Sequence, residues 1–273
     1  MNMENKTEVL AVLNYHAIEA PSGKGPLGFR QRDYALSLDA FREQLDHLAR
    51  DGYRSLSSRE IASWFEGPRE NPAPCVGLTF DDGLISHYEC VLPELRVRNF
   101  KGIFFMTAAL IGTQGYMNRD QLKELLKNGH EIGSHGLTHR PLTYTSATVL
   151  WRELSESKKM IEKDLGIPVD CFSVPRGYCN PRVLRTAEKA SYRLVFTSFG
   201  DVNRQDGRGP RSIRRIAIKP ATNVALFRSL IRGECAGLHQ RETVKAFLRW
   251  IVPPGIYDLA AAVKQALSAR RAS

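Results

Sequence analysis

Short runs of β-branched and aromatic residues alternate with amphipathic stretches along most of this chain, and that alternation leaves few folds open. The strand-like runs are Val9–Asn14, Val76–Phe80, Gly102–Met106, Glu131–Ser134, Cys171–Val174, Leu194–Thr197 and Ile213–Ile216. Between them fall helical patterns at Leu38–Asp51, Asp120–Lys127, Ala147–Asp164 and Pro181–Ala190, the first with Phe41, Leu45 and Leu48 on one face. Ser37 stands at a capping position, and Gly52, Gly129 and Gly166 follow helical stretches where a left-handed residue is wanted. Strand and helix in strict alternation predict a parallel sheet with crossover helices. No repeat or long linker interrupts residues 1–233, so these are expected to form one α/β domain, most simply a (β/α) barrel.

Residues 234–273 read differently. Two amphipathic segments, one with Val244, Phe247, Leu248 and Ile251 and the other with Leu259, Val263 and Leu267, are separated by Pro253-Pro254-Gly255. They predict a short helical extension, packed back on the barrel or lying on a membrane or partner.

With 42% apolar and 25% charged residues, the 273-residue chain is neither disordered nor low in complexity. Its formal charge of +10 is unevenly spread, since residues 201–273 carry 14 Lys and Arg against 5 Asp and Glu. Such a block attracts nucleic acid, anionic membrane or acidic substrates. No helix-turn-helix, zinc-finger or RNP-like signature accompanies it, which argues against nucleic acid. The first residues lack the basic and apolar regions of a signal peptide, and the longest apolar stretch, Gly102–Gly112, falls short of the ~20 residues a spanning helix needs. A cytoplasmic protein is therefore expected, peripheral to the membrane if the basic segment binds there. None of the five cysteines forms a C-x-x-C pair, which favours free thiols.

Two motifs carry chemistry. Leu78-Thr79-Phe80-Asp81-Asp82-Gly83 places adjacent carboxylates at the end of a predicted strand, where βα barrels build active sites. Ser134-His135-Gly136-Leu137-Thr138-His139 follows a second strand, and histidines four residues apart can reach one metal ion from a helical turn or a tight loop. Asp-Asp-Gly is also a good turn, and a structural histidine pair is a fair alternative for the second motif. Together, Asp82, His135 and His139 form a three-ligand set of the kind that leaves a catalytic position open, with Asp81 beside it.

TFDDG followed some 50 residues later by SHGLTH, with Gly129-His130-Glu131-Ile132-Gly133 leading into it, resembles the polysaccharide deacetylase (NodB-homology) family of carbohydrate esterases over roughly residues 8–233. The resemblance implies a deformed (β/α) barrel, usually seven-stranded, and metal-dependent removal of acetyl groups from sugars. It implies Asp81 as general base and Asp82, His135 and His139 as ligands of a divalent ion, zinc first, with cobalt, nickel or manganese as alternatives.

The chain departs from the family pattern at two places. Where the third motif has an arginine that orients the base, the stretch Phe172-Ser173-Val174-Pro175-Arg176-Gly177-Tyr178 has Ser173. Asp81 is then expected to lack its usual partner, unless Arg176 supplies the cation, though Arg176 could equally contact substrate or solvent. Pro175 and Arg176 match the oxyanion segment, where the Arg176 N–H takes the family's place. The late histidine that serves as general acid has no clear counterpart, since His239 lies in the wrong context. Leu13-Asn14-Tyr15-His16 instead resembles the Tyr-His motif of the exopolysaccharide deacetylase branch, and His16 is the expected acid, with a strand-capping role as its alternative. Tyr178, Trp64 and Tyr116 are candidate sugar-stacking residues, equally explained as packing groups.

The expected activity is hydrolysis of acetyl groups on an N-acetylhexosamine-containing glycan or a lipid- or nucleotide-linked precursor. An O-acetyl esterase or a non-sugar amidase would use the same site. A glycan-binding protein on a deacetylase fold is the rival that Ser173 and the missing late histidine suggest.

Overall fold

The computed structural model describes residues 9–19, 34–67, 73–177, 179–205 and 212–234. The predicted helical extension, Tyr178 and His239 lie outside these residues.

Eleven strands and seven α-helices make up the described chain. In order they are β1 (Val9–Tyr15), β2 (Ile18–Glu19), β3 (Leu36–Ser37), α1 (Leu38–Arg50), β4 (Arg54–Ser55), α2 (Ser58–Trp64), β5 (Cys75–Phe80), α3 (Leu92–Val97), β6 (Ile103–Met106), α4 (Arg119–Lys127), β7 (Glu131–Ser134), α5 (Ala147–Leu165), β8 (Cys171–Ser173), α6 (Pro181–Lys189), β9 (Leu194–Phe196), β10 (Asn203–Arg204), β11 (Ile216–Ala217) and α7 (Val224–Ile231). The main sheet runs β10-β1-β5-β6-β7-β8-β9, seven strands, with β4 paired to β5 and β11 to β1. All these pairings are parallel except β1 with β10. This is the barrel expected from the βα alternation, in the deformed, seven-stranded form that the resemblance implies.

The predicted strand Ile213–Ile216 is resolved into two contacts. Ile213 bridges to Phe196 of β9, whereas Ile216 and Ala217 pair with Leu13 and Asn14 of β1. One short segment thus touches both β9 and β1, curling the sheet on itself. A regular strand cannot form because the segment changes neighbour within four residues. Three helices escaped the sequence pattern: α2, α3 and α7. A π-helical turn at His87–Val91 leads into α3, so no single 3.6-residue period runs through that segment.

The helices form where capping and amphipathic pattern agree. Ser37 accepts the Ala40 N–H at the start of α1, and Asn118 and Ser57 close capping boxes with Gln121 and Glu60. Gly166 ends α5 in the left-handed conformation at φ 67°.

Strand alternation divides the apolar side chains into two groups. Phe80, Phe104, Ile132, Phe172 and Val195 pack with the crossover helices. Leu10, Val12, Ile103, Phe105, Leu194 and Phe196 gather in a second cluster inside the curl, joined by Trp64 and Ile61 of α2. Gly133 makes room there: a Cβ on it would stand 2.5 Å from the Phe105 ring. Trp64, 2% exposed, belongs to this plug, and its carbonyl accepts a hydrogen bond from Gln205 near the start of β1. It fills the end of the barrel where the strands begin and so cannot stack on a sugar at the opposite end. Among the described residues, no helix is long and apolar enough to cross a membrane.

Candidate active site

The carboxyl ends of β1, β5, β7 and β8 and the segment before β11 converge on one polar cluster. At the end of β5 the Asp81 N–H donates to the Tyr15 carbonyl at 3.0 Å, extending the ladder by one rung. Asp81 shares strand parity with Thr79 and points into the curl. The next residue would face outward in a continuing strand, but Asp82 adopts φ 77° and Gly83 φ 81°. This reversal turns the Asp82 carboxylate towards the same pocket. Backbone strain at a non-glycine residue costs on the order of 1–3 kcal/mol and persists only where surroundings enforce it. Here the Met117 N–H donates to the Gly83 carbonyl, and Gly83 itself fits tightly against Met106.

His135 and His139 come from the loop after β7, the tight-loop alternative rather than a helical turn. Their Nε2 atoms stand 3.4 and 3.2 Å from Asp82 Oδ1, and the three ligand atoms lie within 4.8 Å of one another. His139 has φ 61°, a second left-handed residue in the cluster. His135 Nδ1 faces the Ser173 carbonyl at 2.9 Å, so the proton belongs on Nδ1 and the Nε2 lone pair is directed at the pocket. Burial pushes the His135 pKa down to about 4, which keeps the imidazole neutral and able to ligate. Asp82 Oδ1 is buried without a hydrogen bond, although two imidazole nitrogens face it. A buried acceptor among three convergent donor atoms is what a divalent cation satisfies, so the residues present fit the metal that the donor set implies.

Asp81 is 2% exposed. Burial alone would raise its carboxyl pKa, but the Arg215 guanidinium and, less strongly, His135 hold it well below the usual carboxylate range. Arg215 Nη1 and Nη2 each donate to a separate Asp81 oxygen at 2.8 Å, a bidentate pair. Arg215 is itself fully buried, with Nη2 also on Ser173 Oγ at 2.7 Å, Nη1 on Thr79 Oγ1 and Nε on the Thr197 carbonyl. Its guanidinium carbon lies 5.5 Å from the Phe105 ring centroid. Ser173 Oγ completes the network by donating to Asp81 Oδ2 at 3.1 Å.

This corrects the expectation that Asp81 lacks a partner unless Arg176 provides one. The cation on Asp81 is Arg215, delivered from the segment just before β11. Ser173 is small enough to admit that guanidinium and polar enough to bind it. Arg176 lies with Pro175 on a turn after β8, at φ 58° and ψ 9°. Strand alternation in Ile213-Arg214-Arg215-Ile216 would turn one arginine inward, but nothing in the sequence says which one or towards which carboxylate.

The structure brings His16 to the same cluster. Tyr15 is paired with Phe80, so His16 and Asp81 end neighbouring parallel strands. Buried His87 donates Nε2–H to the His16 carbonyl at 2.8 Å, and the Tyr34 ring lies 4.8 Å from the His16 ring. Tyr116 is half-buried and bridges to Leu84 in the loop after Asp82.

Comparison with known proteins agrees with this geometry. Residues 69–195 match the family model described as polysaccharide deacetylase. YxkH of Bacillus subtilis, described as a candidate polysaccharide deacetylase, is 26% identical over 229 residues, covering 84% of this chain and 78% of that protein. A peptidoglycan-N-acetylglucosamine deacetylase of Bacillus cereus is 35% identical over 130 residues, covering 47% of this chain and 59% of the relative. The fold matches that of the Streptococcus pyogenes deacetylase PplD, with TM-score 0.73 at 24% identity, over 83% of this chain and 99% of PplD. With TFDDG and SHGLTH assembled into one Asp-His-His cluster beside a clamped aspartate, residues 69–195 carry the likeness to the polysaccharide deacetylase family.

Proposed function

We propose that this protein is a metal-dependent hydrolase that removes acetyl groups from N-acetylhexosamine-containing glycans or glycan precursors. The observation that carries the proposal is the convergence of Asp82, His135 and His139 beside Asp81, which Arg215 holds ionised and fixed. Asp82, His135 and His139 would hold a divalent ion, with zinc the first candidate for two imidazoles and a carboxylate. When bound, such an ion supplies Lewis acidity for the acetyl carbonyl and lowers the pKa of water.

The chain's own groups supply the rest. Asp81 accepts the proton of the attacking water, and its bidentate contact with Arg215 keeps the carboxylate from rotating away. The Arg176 backbone N–H, set by Pro175, donates to the developing oxyanion. His16 gives a proton to the departing amine. The carbon–nitrogen bond breaks, and acetate and the free amino sugar leave.

The substrate class follows the relatives, among them a deacetylase of peptidoglycan N-acetylglucosamine. Acetate release from acetylated glucosamine oligomers, with zinc or cobalt added, tests the proposal. We expect release by the wild type and none by Asp81→Asn, and no metal-dependent release from any oligomer would overturn it. Membrane contact through residues 234–273 is a separate part of the proposal. Liposome co-sedimentation unchanged by deletion of that segment would remove it.

A further inference from the structure

Glu153 is the one buried carboxylate of the described residues outside the Asp81–Asp82 pair, at 3% exposure. It sits on the inner face of α5 with Leu150, Leu154, Ser157 and Ile161. A charge in that position is costly unless saturated with partners. Its partners all come from one stretch, the loop that carries His135 and His139. Oε2 accepts the backbone N–H groups of Leu137 and Thr138, each at 2.9 Å. Oε1 accepts the Thr138 hydroxyl and lies 3.1 Å from Arg140 Nε.

The loop is therefore folded around an anion supplied by the protein. Two successive N–H groups point to one side, towards Glu153, and the side chains of His135 and His139 are left to point to the other. Gly136 at φ 79° and His139 at φ 61° make the bends on either side of the anchored pair. A Cβ at position 136 would meet Glu153 Oε2 at 3.4 Å, so the carboxylate lies directly under the turn. Nothing else on α5 needs a carboxylate there, since an apolar side chain would satisfy the helix–sheet packing equally well.

We infer that Glu153 is a positioning residue that sets the spacing of His135 and His139 and thereby the metal affinity of the site. The inference rests on the metal-centre part of the proposed function. It assigns to α5 a task that neither ligand motif reveals, because Glu153 lies 14 residues beyond the second histidine.

Metal affinity itself is the readout, measured as zinc dissociation constants by competition with a chromophoric chelator on the full chain. Glu153→Gln keeps the shape and one acceptor oxygen but presents an amide N–H2 where the Thr138 hydroxyl and Arg140 now donate. It is expected to weaken zinc binding by about 10–100-fold, the usual effect of losing a group that orients ligands. Thr138→Val removes a single donor and is expected to weaken binding by about threefold to tenfold on the same grounds. Ile161→Val, on the same helix but away from the loop, lowers thermal stability and is expected to leave zinc affinity unchanged. Should Glu153→Gln fail to fold, Thr138→Val decides. Wild-type affinity in the folded variants, or an equal loss in Ile161→Val, overturns the positioning role while leaving the metal centre standing. No zinc binding by the wild type overturns both.

Discussion

Arg215 holds Asp81 through two 2.8 Å hydrogen bonds, one to each carboxylate oxygen, with both side chains sealed from solvent. Truncating one member of a buried ion pair costs about 3–5 kcal/mol, because the other is left charged and unpaired. Arg215→Met should therefore lower the unfolding free energy by that amount and abolish acetate release. Arg215→Lys keeps the charge but cannot bridge both oxygens. It should fold and show kcat reduced by about 10–100-fold, and unchanged kcat would refute an orienting role for Arg215.

Ser173 at the end of β8 and Arg215 just before β11 touch the same carboxylate, so the arginine can be moved. Ser173→Arg alone places two guanidinium groups against one carboxylate and should be inactive and destabilised. Combined with Arg215→Ser, it should recover at least about tenfold in kcat over Arg215→Ser alone, by restoring the single bidentate pair. A double variant no better than the single would show that the two positions are not interchangeable supports.

The proposed acid role of His16 is separable from the proposed base role of Asp81 by the leaving group. An amine must be protonated as it departs, whereas the phenolate of an aryl acetate need not be. His16→Ala should reduce release from N-acetylglucosamine oligomers by about 100-fold and hydrolysis of p-nitrophenyl acetate by less than about threefold. Equal losses on both substrates would contradict the assignment of His16 as acid.

Added zinc should raise the melting temperature in proportion to the logarithm of its free concentration, since only the folded chain assembles Asp82, His135 and His139. His139→Ala should lose most of that response. Calorimetric scans that do not shift with zinc would argue against a metal centre.

Acid should weaken the fold before the Asp81 and Asp82 carboxylates are protonated. Burial pushes His87 down to about 4, against the smaller opposing effects of the His16 carbonyl, Asp82 and Asp81, and pushes His130, which faces Lys101, to about 4 as well. The unfolded chain binds these protons near pH 6.5, so the stability they contribute is complete above that pH. It is lost as pH falls towards 4, by on the order of 2–3 kcal/mol for each group. Urea midpoints measured in chelator should fall between pH 7.5 and pH 5, and His130→Asn should flatten the fall. A midpoint constant over that range would contradict the neutral, buried state of these imidazoles.

The sequence alone determined the order of strands β1, β5, β6, β7, β8 and β9 and of helices α1, α4, α5 and α6, because side-chain periodicity and capping act locally. It also picked out the candidate cluster: Asp81, Asp82, His135 and His139 are legible because each pair lies within one short motif at a strand end. Glycine and aspartate at 83 and 82 even announce the turn that aims both carboxylates at one pocket. The partners of those residues were not legible. Arg215 lies 134 residues from Asp81, in the segment whose excess of arginine suggested an outward-facing basic surface. One of those positive charges is in fact fully buried and neutralised inside the barrel. Trp64, read as a possible sugar platform, plugs the far end. Only closure of the sheet, with residues 213–217 touching both β9 and β1, decides which arginine turns inward and which carboxylate it meets. Burial then makes the pairing obligatory, because neither charge is tolerable there without the other.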